Sequence, residues 1–387
     1  MDKVFFAGTH RVRTPQQTLD LITPLLPGFG VTRLADVTGL DVIGIPVVMA
    51  VRPLATTLSV FQGKGVNLLA AKVSGAMEAI EVWHAENRVP EPTVVDVAAA
   101  RLNLDYRVTD LDTKADLVSE NTRLDWIPAR TSLTNREVLV PRAAVRMGWR
   151  PRDDWREYLL SQSSNGLASG NTTAEAVIHA LYEVIERDCT SEVAHVPVRR
   201  RRYLDPDSVD DEHCAELIEL IRRTGAWLEI VYVPNRWELP CFVSYLWHED
   251  LAACLATGSG VHSDPAVALS RAVTEAAQSR LTFISATRDD LDPSVYRLSA
   301  SASGRPSTPE NRLSWKELVA GRFDRQFASD EAEARWLAEQ VAESSGCEPL
   351  VVDLAQRPEF AVTKVLCPGM RFEGRHDIPR LEAEALR

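Results

Sequence analysis

Basic charge is in short supply. Against 55 Asp and Glu residues stand 43 Lys and Arg, a formal net charge of −12 at pH 7. A protein that tracks a nucleic-acid backbone by neutralising phosphates carries the opposite balance, so no nucleic-acid partner is expected. Only six of the 43 basic residues are lysine, which reads as codon bias and carries no functional weight. The densest positive run, Arg199-Arg200-Arg201-Arg202, reads as a solvated stretch leading into a loop. Long apolar runs are missing too. No stretch reaches the roughly 18 uncharged apolar residues of a spanning helix, so no membrane is expected. The run after Met1 is too short for a signal peptide. The six cysteines form no C-x-x-C pair, which argues against structural zinc. Scattered thiols without a signal peptide fit a reducing cytoplasm.

Familiar nucleotide and hydrolase motifs are absent as well. Lys64 follows a glycine, but position 58 is Leu58, so there is no Walker A loop. Gly166 to Gly170 has the wrong spacing for a nucleophile elbow. Gly258-x-Gly260 lacks the third glycine of a dinucleotide fingerprint, and no H-E-x-x-H occurs.

What is present is ordinary globular material: 387 residues, 45% apolar and 25% charged, enough for two or three subdomains. Val4 to about Gly30 reads as strand, polar turn and helix, with Thr14 as cap and Pro15 in the first turn. Val42–Val51 reads as a buried strand. Arg101 to Trp126 looks charged and irregular. Asn165 to Asp188 reads as a turn feeding a long helix, and Leu228 to Trp247 as a hairpin split at Pro234-Asn235-Arg236. Ser263 to Thr287 and Ala332 to Ser345 read as helices, and Leu350 to Leu354 as a strand. Residues 289–330 are polar. Ser299 to Pro309 within them, rich in Ser, Pro and Gly, reads as a flexible surface loop.

The most informative pattern is an internal repeat. Three segments share a glycine turn, a helix with small residues on one side, and a polar pair at i,i+3. They run from Gly63-Lys64-Gly65 to Glu78 and Glu81, from Gly170-Asn171 to Glu183 and Glu186, and from Gly258-Ser259-Gly260 to Glu275 and Gln278. Alanine stands seven residues before the first Glu each time, at Ala71, Ala176 and Ala268. A small residue stands three before it: Gly75, Ala180 and Ala272. The third segment is two residues longer between glycine and Glu. Residues i and i+3 share a helix face, and two glutamates there repel unless cations sit between them. The glycines would expose N–H groups to phosphate, and the small residues would let a ligand approach. Facing one another, the pairs could hold divalent ions between phosphate oxygens.

With those residues in hand, the chain resembles the YcaO family. The densest match is Ser164-Asn165-Gly166-Leu167-Ala168-Ser169-Gly170-Asn171 running on to Ala180 through Asp188. The S-x-x-x-E-x-x-E helix appears as Ser74, Glu78 and Glu81, and the E-x-x-Q-x-R helix as Glu275, Gln278 and Arg280. Gly63-Lys64-Gly65 and Pro368-Gly369 are also similar. The resemblance spans about residues 8–370. It implies one α/β domain over residues 1–387, built of related subdomains with ATP bound between acidic helices; 289–330 would be partly flexible and 371–387 a tail.

The family implies ATP- and Mg²⁺-dependent activation of a backbone amide in a ribosomally made precursor peptide. A nucleophile attacks the carbonyl, the oxyanion takes the γ-phosphoryl group, and phosphate leaves. Sulfide gives a thioamide, a Cys, Ser or Thr side chain an azoline, and an amine an amidine. Carried over by motif, Glu78, Glu81, Glu183 and Glu186 would ligate Mg²⁺, and Arg187 would grip phosphate. Arg187, Arg280, Glu275 and Gln278 would form the catalytic wall. Arg11, Thr18, Lys64, Ser74, Asn171, Glu175, Arg187 and Arg280 would contact nucleotide or its metal-bound water. His179 reads as a packed histidine and Cys189 as a small buried residue ending its helix.

The chain shows no proline-rich tail and no fused leader-binding domain, which makes it look more like the thioamide-forming members that work with a TfuA-type sulfur-delivery partner. A homodimer is compatible with this reading. A non-catalytic ATP-binding partner that delivers peptide is the alternative from another class; intact metal-ligand motifs argue against it.

Overall fold

The three glycine-bearing segments are strand-to-helix units. Their glycines lie in or at the ends of strands, not in turns. The first unit is strand β5 (Val60–Lys64) followed by α2 (Leu68–Asn87), the second β9 (Leu167–Gly170) followed by α3 (Thr173–Val193), and the third β13 (Ala256–Val261) followed by α5 (Pro265–Ser285). A Cβ on Gly63 would sit 2.0 Å from the Gly75 nitrogen and 2.2 Å from the Ala71 oxygen. On Gly260 it would sit 2.1 Å from the Ala268 oxygen, and on Gly258 2.3 Å from the Ala276 nitrogen. The small residues of α2 and α5 therefore admit the helix's own strand. The same contacts correct the alignment. Gly63 meets Ala71 and Gly75 as Gly260 meets Ala268 and Ala272, so the extra length of the third repeat is a misread register.

This computed structural model describes residues 4–370 apart from 7, 114–116, 149–154, 194, 252–253, 292–305, 307–308, 310, 320–321 and 324. The expected tail and most of the Ser299–Pro309 loop lie outside the described residues.

Each unit belongs to a different sheet. β3 (Arg33–Asp36), β4 (Val47–Val51) and β5 form an antiparallel three-stranded sheet. β6 (Val94–Ala98), β7 (Arg123–Thr131), β15 (Leu350–Gln356), β16 (Ala361–Leu366) and β9 form the path of a larger one, with β8 (Glu137–Pro141) on β7. The third sheet runs β13, β12 (Cys241–Trp247), β11 (Trp227–Tyr232), β10 (Arg202–Leu204) and β14 (Arg312–Leu313), with only β10 and β14 parallel. A ribbon of β1 (Val4–Phe6) and β2 (Thr9–Arg11) leads into α1 (Pro15–Ile22), where Thr14 and Gln17 close a capping box.

The helices couple the sheets. α2 packs on β4 and β5 and also touches β9, β15 and β16; α3 packs on β9 and β16 and touches β12 and β13; α5 packs on β12 and β13 and touches β5. The layout closes on itself. α4 (Glu212–Arg223) covers the third sheet beside α5, with Leu217, Ile218 and Ile221 in their shared core. α7 (Asp330–Ser345) packs Leu337, Ala338 and Val341 against the α3 core, and α6 (Trp315–Val319) seats Trp315 under β12. Fully buried side chains such as Trp126, Ile80 and Ile127 each contribute about 1.5–3 kcal/mol of apolar transfer.

Two expectations are corrected. The predicted strand over Val42–Val51 begins only at Val47: Gly44 turns at φ 81° and Pro46 supplies no N–H. The predicted turn after Asn165 contains β9, whose small residues hid its strand character. The hairpin, both late helices and the last strand form as read. No helix among the described residues is long and apolar enough to cross a membrane.

The strand-helix contact can be tested by adding one methyl group. Gly63→Ala should lower stability by at least about 1–3 kcal/mol, because backbone on both sides blocks its Cβ. Gly28→Ala, with nothing within 4 Å of the added atom, should leave the melting temperature close to that of the parent. Equal melting temperatures for both variants would refute the close-approach account.

Candidate functional site

The polar pair at i,i+3 on each unit helix reaches into the next unit. Glu81 on α2 accepts from Ser169 on β9, backbone N–H at 2.9 Å and hydroxyl at 2.5 Å. Glu186 on α3 accepts from the Ser259 hydroxyl on β13 at 2.6 Å. Gln278 on α5 donates to the Gln62 carbonyl on β5 at 2.6 Å, and Glu275 pairs with Lys64 at 2.6 Å. These contacts close the ring. They also explain why the third pair carries an amide: its partner is a carbonyl oxygen, which a carboxylate cannot satisfy.

Four carboxylates thereby share one acidic cluster. Burial lifts the Glu78 pKa to about 7 against the pull of Arg288 and Lys64, with Glu183 adding to the rise. Burial lifts Glu81 to about 8, opposed by its Ser169 bond and reinforced by Glu78 and Glu183. Glu183 is likewise pushed up to about 7 by burial, with Arg187 opposing and Glu186 adding. Glu186 is 6% exposed. Arg187 stands at the cluster's edge, part of its side chain open to solvent and its charge turned toward the cluster. Burial of its charge works against it, yet Glu183, Glu186 and Glu275 together hold its pKa above the ordinary arginine value. Burial would raise Glu275, but Lys64 and Arg187 bring it below its ordinary range. Ser74, half-buried, lies one turn before Glu78 on α2.

Three cations missed in the sequence join this group. Lys364 on β16 is 2% exposed, and its ammonium donates to the carbonyls of Ser163 and Asn165 at 2.7 Å each. Burial lowers its pKa to about 8, with Glu183 and Asp112 supporting the charge. Arg271, one turn before Glu275, acts on Glu183 and Glu275 and bonds the His179 ring at 2.9 Å. Arg288, just beyond α5, faces Glu78 and pairs with Asp290. A charged residue inside an otherwise apolar strand was the signal for Lys364. The i,i+4 spacing to Glu275 was the signal for Arg271.

The N-terminal residues form an adjoining wall. Arg11 and Glu175 line a small pocket with His179, Tyr182, His262 and Arg271. Burial lowers the Arg11 pKa while Glu175 supports its charge. Thr18, Asn171 and Glu175 are expected to face a nucleotide, but here they bond one another. The Thr18 hydroxyl donates to Asn171 at 2.7 Å, and Glu175 accepts from the Asn171 backbone and side chain at 2.7 and 2.9 Å and from the Val12 N–H at 2.5 Å. They pin the N-terminal segment onto α3. His179 is packed and held neutral chiefly by burial, as the sequence suggested.

Arg280 is a correction. It is 2% exposed and pairs with Asp41 at 3.1 Å and Asp250 at 2.7 Å, tying α5 to the segments before β4 and after β12. Two residues beyond Gln278, its side chain leaves the acidic cluster's helix face. In this arrangement its guanidinium is taken up by the two aspartates and stands apart from the acidic cluster. Cys189 is buried but does not end its helix, which continues to Val193.

The donor set suits a hard divalent cation with phosphate. Oxygen ligands dominate, and three of the four cluster carboxylates resist ionisation in the absence of an added cation. Among the described residues no three His, Cys, Asp or Glu side chains converge as a ready-made metal cage.

A family model described as YcaO cyclodehydratase, ATP- and Mg²⁺-binding, matches residues 62–371. An uncharacterised protein of Mycobacterium tuberculosis is 39% identical over 371 residues, covering 94% of this chain and 83% of the relative. An uncharacterised protein in the tfuA 3′ region of Rhizobium leguminosarum bv. trifolii is 37% identical over 306 residues, covering 76% and 72%. The structure of YcaO from Methanopyrus kandleri bound with AMPPCP and Mg²⁺ superposes with a TM-score of 0.73 at 24% identity, covering 96% of this chain and 95% of that one. Sequence match and fold agree, and the chain belongs to the YcaO family.

Proposed function

We propose that this protein is an ATP- and Mg²⁺-dependent enzyme that activates a backbone amide in a ribosomally made peptide: sulfur from a TfuA-type partner adds to the carbonyl, the oxyanion so formed takes the γ-phosphoryl group, and phosphate leaves to give a thioamide. The observation that carries the reading is the meeting of Glu78 and Glu81 with Glu183 and Glu186 beside Arg187. ATP and Mg²⁺ are the family's cofactors by its description; bound together they supply the phosphoryl group that makes the amide oxygen a leaving group. The four glutamates would hold the metal. Arg187 at the edge would hold phosphate oxygens, with Arg271 and Arg11 on the adjoining wall. Lys364 fixes the carbonyls of Ser163 and Asn165 and offsets the charge of Glu183 from below. Lys64 keeps Glu275 ionised, and Gln278 holds α5 to β5. The relative from the tfuA region supports sulfur as the nucleophile.

Substitution of the cluster tests the metal role. Glu183→Gln should reduce Mg²⁺-dependent ATP turnover by about a hundredfold or more while leaving the ligand-free melting temperature unchanged or higher, because one repelling carboxylate is gone. Near-parental turnover would sink the four-carboxylate site.

Stability against pH reads the same groups. In the unfolded chain Glu78, Glu81 and Glu183 lose their protons near 4.5, and in the fold they keep them to about 7 or 8. The folded state therefore binds more protons in between, and stability falls as pH rises. Below 6.5 the buried, neutral His84 and His179 act in the opposite sense. In chelator, the melting temperature should fall between pH 6.5 and 8, and Glu78→Gln with Glu81→Gln should flatten the slope. A level parental profile would contradict the shared cluster.

The nucleophile is decided by product mass. Protein, ATP, Mg²⁺ and precursor peptide alone should give little product. Adding a TfuA-type partner and sulfide should yield the mass gain of one oxygen-to-sulfur exchange. Loss of one water from protein and peptide alone would establish azoline formation instead.

A further inference from the structure

A second pocket, of about 420 Å³, is lined by none of the acidic cluster's residues. Its inner wall is Trp237 and Leu239, buried in the turn between β11 and β12. Phe323 and Trp336, the latter from α7, face them. Arg322 and Arg325 stand exposed on the rim, and the Arg325 guanidinium lies 4.4 Å from the centre of the Trp336 ring. No carboxylate among the described residues pairs with either arginine. One acid, Glu238, shares the rim.

The positive surface continues beyond the pocket. Burial raises the Tyr232 pKa, and the charges of Arg322 and Arg202 oppose that rise, so both guanidinium groups stand within electrostatic reach of one hydroxyl. Arg202 opens β10 and pairs in register with Tyr232. Before it, Arg199 and Arg200 are exposed and unpaired among the described residues, beside Val198 at 64% exposure. A chain of net charge −12 thus keeps uncompensated arginines on one path, where they repel one another. The path is also connected to the acidic cluster. Ser263 lies in the pocket wall, and its N–H donates to the Tyr182 hydroxyl at 3.2 Å. Tyr182 lines the N-terminal pocket and immediately precedes Glu183.

We propose that this groove docks an acidic segment of the peptide substrate, with an aromatic or aliphatic side chain seated between Trp237 and Trp336 and carboxylates along Arg322, Arg325 and Arg202. The inference rests on the proposed peptide-modifying function and adds to it a binding site outside the reaction centre. Bidentate carboxylate pairing suits the exposed guanidinium groups, and rim charges of this kind chiefly set specificity and association rate. A nucleic-acid strand repeats a phosphate at every step and needs cations along its whole length, whereas this pocket sets two rim arginines around an apolar floor.

The test uses a fluorescent synthetic peptide of Asp, Glu, Leu and Phe, its Asn/Gln counterpart, and a labelled oligothymidylate, with binding read by anisotropy. The acidic peptide should bind the full chain, more weakly as salt rises. Arg322→Glu with Arg325→Glu should weaken it by about tenfold or more, and Trp336→Ala should also weaken it. Both variants should keep the parental thermal shift with ATP and Mg²⁺, which shows that they fold. Equal binding by the charge-reversed variant, equal binding of the uncharged peptide, or tighter binding of oligothymidylate would each overturn the groove. Loss of the ATP shift in the parent would sink the proposed function instead, and the peptide measurement would still decide the groove alone.

Discussion

A helix can carry its side chains past the strand beneath it only if it lies very low on that strand. Here the depth is set by hydrogen atoms in place of Cβ groups. Gly63 rests against Ala71 and Gly75, and Gly260 against Ala268 and Ala272. α2 and α5 sink until their polar pairs clear their own sheets and reach the next one, and α3 makes the same reach over Ala168. Glu81, Glu186 and Gln278 then find partners on β9, β13 and β5. Without that depth the three sheets would have apolar contacts but no shared polar centre.

The centre is held against its own electrostatics. Four carboxylates from α2 and α3 meet there, and burial with mutual repulsion disfavours ionisation of Glu78, Glu81 and Glu183. Arg187, Lys64, Lys364 and Arg288 offset part of that charge from different elements. Such strain persists because the surrounding packing over-determines it, which is common where a fold prepares a site for a cation or a polyanion. The N-terminal segment adds a wall from the far end of the sequence. Glu175 and Asn171 fasten that wall to the start of α3, so its position depends on the same helix that bears Glu183.

Local spacing made the acidic pairs readable. Two glutamates at i,i+3 with Ala71 and Gly75, or Ala176 and Ala180, before them form a pattern that survives without an alignment. The purpose of the small residues was not readable, because it depends on which strand lies below. Residues Leu167–Gly170 look like a turn in isolation and become a strand only by pairing with β16. Arg280 shares a motif with Glu275 and Gln278 but is turned toward Asp41 and Asp250, partners remote in sequence. Lys364 sits within an apolar strand, so its role emerges only from the loop carbonyls folded over it. What was lost in the sequence was long-range geometry; the chemistry of the cluster was already legible.

The closed ring of units has a consequence for how such a fold can change. Open solenoids lengthen by adding a repeat, since each neighbour contacts only the next and end caps shield the termini. Here the third unit returns to the first through Gln278 and Gln62, so no unit is terminal. A duplicated fourth unit would have to break one of the three handshakes before forming its own. The count of units is therefore fixed by closure, and variation among descendants is channelled into the connections between units, such as the long passage from α5 to α7, where insertions can accumulate without opening the circle.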